Sequence, residues 1–131
     1  MNVLDPLSTR AFLDRFNSFY DAVIRRIEYR FNVPEQRRAT LIISTQDQQS
    51  DTGWSNVVIV IGKVSETAFR EGNSTRQILS DGFHITWIDG FAWCDFSPYS
   101  SKIDSLDDLR KSDFYVAGES FAWQTEPYSE A

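Results

Sequence analysis

Two Asp-Gly dipeptides, at 81–82 and 89–90, constrain the fold of this chain more than any other feature, because they bracket a run of strictly alternating residues. A two-residue type I′ turn needs positive φ at both central residues, and Asp-Gly between alternating apolar runs is the strongest short signal for it. Residues 78–96 are therefore predicted to form a three-stranded antiparallel meander, around which the rest of the chain assembles.

Two-residue turns fix the register of this meander, so the members of its two faces can be predicted. One face sets large apolar residues against small ones, as a core face does: Ile78, Phe83, Ile85, Trp87, Cys94 and Phe96. The other face mixes polar and aromatic residues: Gln77, Leu79, His84, Thr86, Ile88, Phe91, Trp93 and Asp95. A monomer rarely exposes three large apolar groups together. The sequence thus predicts that this face binds a protein partner or a second copy, unless the N-terminal helix covers it. The predicted binding residues are Thr86, Ile88, Phe91 and Trp93.

The first part of the chain carries apolar residues at three- and four-residue intervals behind Asp5-Pro6, which predicts a helix over residues 7–20. Residues 21–31 suit either a continuation of this helix or a strand. Their alternation and their β-branched and aromatic residues favour a strand that begins at about Ala22.

Further strands are predicted over 38–46, 54–61 and 113–125. The unbroken apolar run in the second of these indicates a central position in the sheet. Ser105 and Asp108 have the spacing of a capping box, which predicts a short helix before the last strand. The chain is therefore predicted to be one α+β domain over 1–131, mainly antiparallel β, with the N-terminal helix packed on a meander of about seven strands. One strongly curved sheet and a sandwich both remain compatible with this pattern.

The charge of the chain bears on its partners. The formal net charge is −6, and residues 51–131 carry six basic and thirteen acidic residues. An acidic surface repels nucleic-acid phosphates and attracts basic partners, so a protein partner is predicted and a nucleic-acid partner is not. Trp54, Trp93 and Trp123 belong either to a protein-binding surface or to the core.

The location of the protein is predicted from three further features. No apolar run approaches the ~18 residues of a membrane span, so no membrane association is expected. The opening residues lack the basic start and apolar run of a signal peptide. The lone Cys94 forms no internal disulfide. Together these features predict a cytoplasmic protein.

Catalytic and metal-binding motifs are sparse. One His and one Cys offer no zinc-ligand spacing, and the scattered glycines form no phosphate-binding loop, so neither a metal nor a cofactor is predicted. The register places His84 and Cys94 on opposite faces, which argues against a Cys-His nucleophile. His84 lies opposite Asp95, so a hydrolase or isomerase with His84 as general base is the alternative to a structural polar pair. The structural interpretation is favoured, and the protein is predicted not to be an enzyme.

The run FNSFYDAVIRRIEYRF over 16–31 spaces Phe19, Asp21, Ile24 and Ile27 as F-x-D-x-x-I-x-x-I. A Trp-led strand at Trp54, the Asp-Gly turn at 89–90, the F-x-P element at 96–98 and the closing SDFYV over 112–116 follow in order. This pattern resembles small bacterial α+β proteins, many of them uncharacterised and some of them immunity-like. The resemblance implies a non-enzymatic, partner-binding role, such as an inhibitor that protects a cell from a toxin, and it transfers no functional residues. A structural homodimer without a small-molecule ligand is a further alternative.

Overall fold

The computed structural model describes residues 1–31, 36–72, 77–98 and 105–130. Two short helices and eight strands form in this part of the chain: β1 Asn2–Val3, α1 Thr9–Arg15, β2 Ala22–Arg30, β3 Arg38–Gln46, β4 Trp54–Phe69, β5 Ile78–Leu79, β6 His84–Ile88, β7 Phe91–Asp95, α2 Leu106–Arg110 and β8 Phe114–Pro127. The fold is mostly antiparallel sheet with few helical residues. The predicted starts of β2 and β3 and the predicted short helix before the last strand are confirmed.

All eight strands belong to one sheet, whose order is β5-β2-β3-β4-β8-β7-β6, with β1 paired to β8 beside this path. The last strand of the chain therefore lies inside the sheet, and the predicted simple meander is wrong in its order. β4 and β8 are the longest strands, with 16 and 14 residues. Pairing them along their length satisfies more backbone groups than an edge position for β8 would. β4 is central, between β3 and β8, as its apolar run predicted.

The sheet is a single curled layer. Phe19 precedes β2 and Phe83 precedes β6, strands that lie near opposite ends of the sheet order. Their ring centroids are nevertheless only 4.6 Å apart. The two ends of the sheet must therefore bend toward each other, which resolves the open choice in favour of one curved sheet.

The second predicted hairpin is confirmed. Asp89 and Gly90 both have positive φ, 50° and 83°, as a type I′ turn requires. His84 pairs with Asp95 and Ile85 pairs with Cys94, which is the predicted register.

The first predicted hairpin is wrong. Gly82 has a φ of +71°, whereas Asp81 does not have positive φ, so a type I′ turn cannot form there. The N–H of Gly82 instead donates to the carbonyl of Leu79 at 3.0 Å, and β5 pairs with β2 rather than with β6. Ile78, predicted in the core, is 47% exposed as a result.

Gly82 serves a different purpose from the one predicted. A Cβ atom at this position would collide with the backbone carbonyl oxygen of Ser18, in the turn that follows α1. Only glycine combines this close approach with a left-handed φ. The Asp-Gly signal at 81–82 therefore marks a contact between distant segments, and the local sequence contains no information about that contact.

The N-terminal helix is shorter than predicted. α1 ends at Arg15, and a 3-10 turn over Asn17–Phe19 follows it. Asn17, Ser18 and Phe19 all have positive φ, which is incompatible with a continued α-helix. The sharp change of direction buries both Phe16 and Phe19 completely and leads the chain directly into β2.

The main core lies between the inner face of the curled sheet and α1. Its largest fully buried side chains include Phe16, Phe19, Phe83, Phe121, Leu41, Ile43, Ile59 and Ile61. A second, smaller core lies on the outer face, where α2 covers β7 and β8: Trp93, Leu109, Tyr115 and Ala117. Each helix thus covers one side of the sheet.

Candidate functional site

The predicted polar pair is brought together by the β6–β7 register, but its carboxylate contacts other residues. Oδ1 of Asp95 accepts hydrogen bonds from the Ser112 hydroxyl at 2.6 Å and from the Ser97 N–H at 3.0 Å. Oδ2 is buried and has no hydrogen-bond partner among the residues that the structure describes. His84 is therefore not oriented by Asp95, whose bonds join the end of β7 to the segment between α2 and β8.

Burial determines the titration of Asp95. The side chain is only 1% exposed, and desolvation raises its pKa above the ordinary value, although the bonds from Ser112 and Ser97 oppose this shift. A carboxyl group with a raised pKa in the folded state stabilises the protein most at low pH, and this contribution is lost as pH rises through the raised value.

Asp95→Asn tests this assignment. Asn keeps an oxygen acceptor for Ser112 and Ser97 but carries no charge at any pH. We therefore expect the difference in the free energy of unfolding, variant minus wild type, to become more positive as pH rises from about 4 to about 7. Urea unfolding at several pH values measures this difference. Asp89→Asn, in an exposed turn where Asn-Gly is equally favourable, is the matched control. A difference that does not change with pH would contradict the assignment.

Cys94 is fully buried in the main core, and burial raises the pKa of its thiol, to which the neighbouring Asp95 carboxylate adds. The thiolate is the reactive form of cysteine, so this thiol is inert in the folded protein. Cys94 also belongs to the inner face and His84 to the outer face, as the register predicted.

The four residues of the predicted partner-binding face differ in how deeply they are buried. Trp93 is 6% exposed and lies beneath α2, stacked on Tyr115 with a centroid distance of 5.8 Å. Ile88 and Phe91 are half-buried against the same cluster, and Thr86 is half-buried on β6. The helix that covers this face is therefore α2, whereas α1 lies on the opposite side.

An ion pair links α2 to the sheet. The Arg110 guanidinium donates two hydrogen bonds to Glu66, at 2.8 and 3.0 Å, and the Tyr115 hydroxyl donates a third at 2.7 Å. The bond from Arg110 is the largest cause of the lowered pKa of Glu66. Arg110 also lies 5.6 Å from the centroid of the Trp93 ring. These groups satisfy one another, so the cluster is a structural one.

A groove of about 860 Å³ opens between β2, β5 and the ends of β4 and β8. Exposed apolar side chains line it, among them Ile27, Phe69 and Ile78. Two of its arginines have acidic partners, since Arg26 donates to Glu28 at 3.1 Å and Arg70 lies 3.7 Å from Asp113. The third, Arg25, donates within the described ranges only to the Ser44 and Tyr128 hydroxyls, and the carboxylates of Glu71 and Asp81 also line the groove, so its free charges are of both signs.

A second groove, of about 490 Å³, lies between the β3–β4 loop and the end of β8. The Trp54 and Tyr128 rings form one wall, with centroids 5.9 Å apart and planes inclined by 52°. Asp51 and Glu126 also line it, and both are exposed. We call this site, defined by Asp51, Trp54, Glu126 and Tyr128, the acidic aromatic groove.

The base of the acidic aromatic groove is a buried ion pair. Arg15 donates from Nε and Nη2 to the two oxygens of Asp47, at 2.9 and 3.1 Å. Asp47 also accepts from the Ser55 hydroxyl at 2.6 Å and from the Gln49 N–H at 2.9 Å. Burial opposes ionisation of Asp47, but these bonds outweigh it and lower its pKa.

The net charge of the acidic aromatic groove follows from this pairing. Asp47 neutralises Arg15, the cation of the groove lining. The Tyr128 hydroxyl accepts from Arg25 at 3.4 Å and donates to Glu130 at 3.0 Å, and these two neighbours carry opposite charges. The side-chain carboxylates of Asp51 and Glu126 form no hydrogen bond or ion pair with any residue in the described ranges. Two uncompensated carboxylates beside two aromatic rings can bind a cationic side chain, because the ring faces and the carboxylates both attract a guanidinium or ammonium group.

The groove was not predicted from the sequence, although Trp54 was one of three tryptophans predicted to lie either on a protein-binding surface or in the core. Of the three tryptophans, Trp93 is buried, Trp123 packs against the main core, and Trp54 is half-exposed at the groove. The groove depends on the pairing of Ser55 with Pro127, which joins segments 72 positions apart. No local pattern predicts such a pairing.

Comparisons of this chain with protein-family models, with curated proteins and with solved structures find no match. Within the described ranges, no three His, Cys, Asp or Glu side chains are grouped so that they could hold a metal ion. No helix there is long and apolar enough to cross a membrane. The functional assignment accordingly rests on the geometry of the chain itself.

Proposed function

We propose that this protein acts by binding a basic segment of another protein and that the acidic aromatic groove is its docking point. The observation that carries the proposal is the position of Asp51 and Glu126, two uncompensated carboxylates, beside the rings of Trp54 and Tyr128. An arginine or lysine of the partner would lie against the rings and pair with the carboxylates. Its long apolar stem would cover ring surface while the charged group remains near the acids.

The distribution of charge over the chain supports a basic partner. Each described ion pair uses one acid and one base, as Glu66 with Arg110 and Asp108 with Lys111 do, so these pairs leave the excess of acids after residue 50 unchanged. Complementary charge increases association rates, and salt reduces this effect beyond a Debye length of about 8 Å at physiological ionic strength. An immunity-type inhibitor of a basic toxin, the role implied by the resemblance, has this chemistry.

The non-enzymatic part of the proposal rests on the same side chains that sequence reasoning considered for catalysis. Asp95 is engaged by Ser97 and Ser112, and Cys94 is enclosed in the core. An enzyme that used His84 as a general base would need a group to orient the imidazole. We therefore favour binding over the hydrolase or isomerase alternative, and activity abolished by His84→Ala in a folded protein would reverse this preference.

The double variant Asp51→Asn/Glu126→Gln is expected to weaken binding of a hexa-arginine peptide about 2- to 30-fold at low salt, since both carboxylates are exposed and each exposed ion pair contributes roughly 0.2–1 kcal/mol. Isothermal titration calorimetry measures the affinity. The matched control is Asp89→Asn/Glu119→Gln, which makes the same change in net charge at exposed positions outside the groove. If both double variants lost equal affinity, net charge alone would explain the binding and the groove assignment would be wrong.

Affinity capture from the source cell, at low and at high salt, tests the proposal with natural partners. We expect a basic protein to be recovered by the wild type at low salt and to be lost both at high salt and with the groove variant. Recovery that is equal for the wild type and the groove variant would contradict a role for the groove. A partner that is not basic would contradict the proposed function itself.

A further inference from the structure

Strand β6 forms one end of the sheet order, so among the described strands it pairs along one edge alone, with β7. A two-residue turn closes its hairpin with β7, and in such hairpins the residues next to the turn form a hydrogen-bonded pair. Ile88, Thr86 and His84 therefore bond to β7, while the N–H and C=O groups of Ile85 and Trp87 point outward. In the described part of the chain these outward groups have no backbone partner.

The free edge of β6 lacks the usual protection against strand addition. Natural proteins protect exposed edges with Lys, Pro or a β-bulge. The strand reads HITWI and pairs with β7 without a register shift. The edge of β2 differs from that of β6 in two ways. It carries a bulge between Ile24 and Arg26, and the charged residues Arg26, Glu28 and Arg30 lie at and after this bulge. Within the ranges that the structure describes, β6 is the one of these two edges that is open to another strand.

We propose that a second copy of this chain adds its β6 to this edge in antiparallel orientation, about a two-fold axis at Thr86, so that the two sheets become one. In this register Ile85 lies opposite Trp87 of the second copy, and the reverse pair forms by symmetry. The outward groups of these two pairs exchange backbone hydrogen bonds. The proposal goes beyond binding at the acidic aromatic groove, whose residues lie on neither β6 nor β7.

In this register the side chains of β6 are complementary to those of a second β6. The strand that we propose for the free edge is therefore the β6 of a second copy. Isoleucine opposite tryptophan is a favourable cross-strand pair, and it forms twice. Thr86 faces Thr86 of the second copy, and paired threonines are also favourable. His84, the one titratable side chain of the strand, lies opposite Ile88, so no like charges meet across the junction.

The two associations respond oppositely to salt. Each copy carries a net charge of −6, so two copies repel each other and added salt reduces that repulsion. We therefore expect salt to strengthen the dimer and to weaken binding of a basic partner at the groove. Failure of one proposal can thus be distinguished from failure of the other.

Charge variants at the two-fold axis test the dimer. Thr86→Lys and Thr86→Glu each place like charges directly opposite each other, and we expect each to raise the dimer Kd about tenfold or more in analytical ultracentrifugation. An equimolar mixture places Lys opposite Glu and should restore association. Recovery on mixing also requires that both variants are folded.

Thr40→Lys and Thr40→Glu are the matched controls, since Thr40 is another half-exposed threonine on a strand that is paired on both edges. These variants should leave the dimer Kd unchanged. A wild-type protein that stays monomeric across the accessible concentration range would overturn the proposal. So would a dimer that Thr86→Lys does not weaken, or variants that do not associate when mixed.

Discussion

Phe12→Ala is expected to lower the free energy of unfolding by about 3–5 kcal/mol, the range found when a buried phenylalanine is truncated in a core that cannot collapse. Phe12 is 3% exposed and lies within 5.0–6.5 Å, centroid to centroid, of five other aromatic rings: Phe16, Phe19, Phe83, Phe121 and Trp123. These neighbours come from the turn after α1, from the segment before β6 and from β8. Removal of the ring therefore leaves a cavity with walls from three parts of the fold.

The effect is large because packing is the main source of stability for α1. The helix has seven residues, and its N-cap residue Ser8 makes no side-chain capping bond. Helices of this length are not stable in isolation, so α1 depends on its contacts with the sheet. Trp87 contributes one of these, a hydrogen bond from its Nε1 to the Thr9 hydroxyl at 2.8 Å.

Urea unfolding followed by tryptophan fluorescence measures the change caused by Phe12→Ala. The matched control is Leu7→Ala, which also truncates a large apolar residue near α1, but at a position that is 96% exposed. We expect the control to change stability by no more than about 0.5 kcal/mol. Equal losses for the two variants would show that α1 is not held by the aromatic core.

Features determined by neighbouring residues were predicted correctly from the sequence. The Asp-Gly turn at 89–90 specifies both its own geometry and the register of β6 with β7. Ser105 caps α2 by accepting from the N–H of Asp108 at 3.2 Å, as its spacing indicated. In each case the interacting groups lie within a few residues of one another, so the pattern contains the whole interaction.

Features determined by distant residues were not predicted. The dipeptide at 81–82 has the same composition as the one at 89–90, yet its glycine is required by the carbonyl of Ser18. α1 stops at Arg15 although apolar spacing continues to Tyr20, because the chain must turn there to bury Phe19. Local propensity is a weak determinant whenever tertiary contacts oppose it.

The same distinction applies to the candidate site. Its aromatic wall combines Trp54 with Tyr128, and its base combines Arg15 with Asp47. The second pair joins residues 32 positions apart, through a contact between the end of α1 and the loop after β3. The sequence shows an excess of acids but not which of them are neutralised. That information determines whether the groove attracts a cation.

Asp47→Asn is expected to lower the free energy of unfolding by about 2–4 kcal/mol at neutral pH, somewhat less than the loss of one partner from a completely buried ion pair. The Asp47 side chain is 1% exposed and that of Arg15 is 22% exposed, so the substitution leaves a largely enclosed guanidinium without its counter-charge. Arg15 cannot lose its proton to avoid this cost. It also stays close to the Phe16 and Trp123 rings, 4.9 and 5.5 Å from their centroids, which restricts its movement into solvent.

Asp14→Asn provides the matched control, because it breaks the Arg10–Asp14 ion pair of the same helix, whose side chains are 89% and 65% exposed. Exposed pairs contribute little, and the expected change is below about 0.5 kcal/mol.

The pH dependence of the effect of Asp47→Asn shows whether the lost charge or the lost shape and hydrogen bonds cause it. The pKa of Asp47 is lowered in the folded protein, so its contribution is present above the ordinary value of 3.8 and is lost as pH falls through the lowered value. The difference in unfolding free energy between wild type and Asp47→Asn should therefore shrink toward about pH 3. A difference that persisted undiminished in acid would mean that the substitution acts through lost shape and hydrogen bonds rather than through the charge of the buried pair.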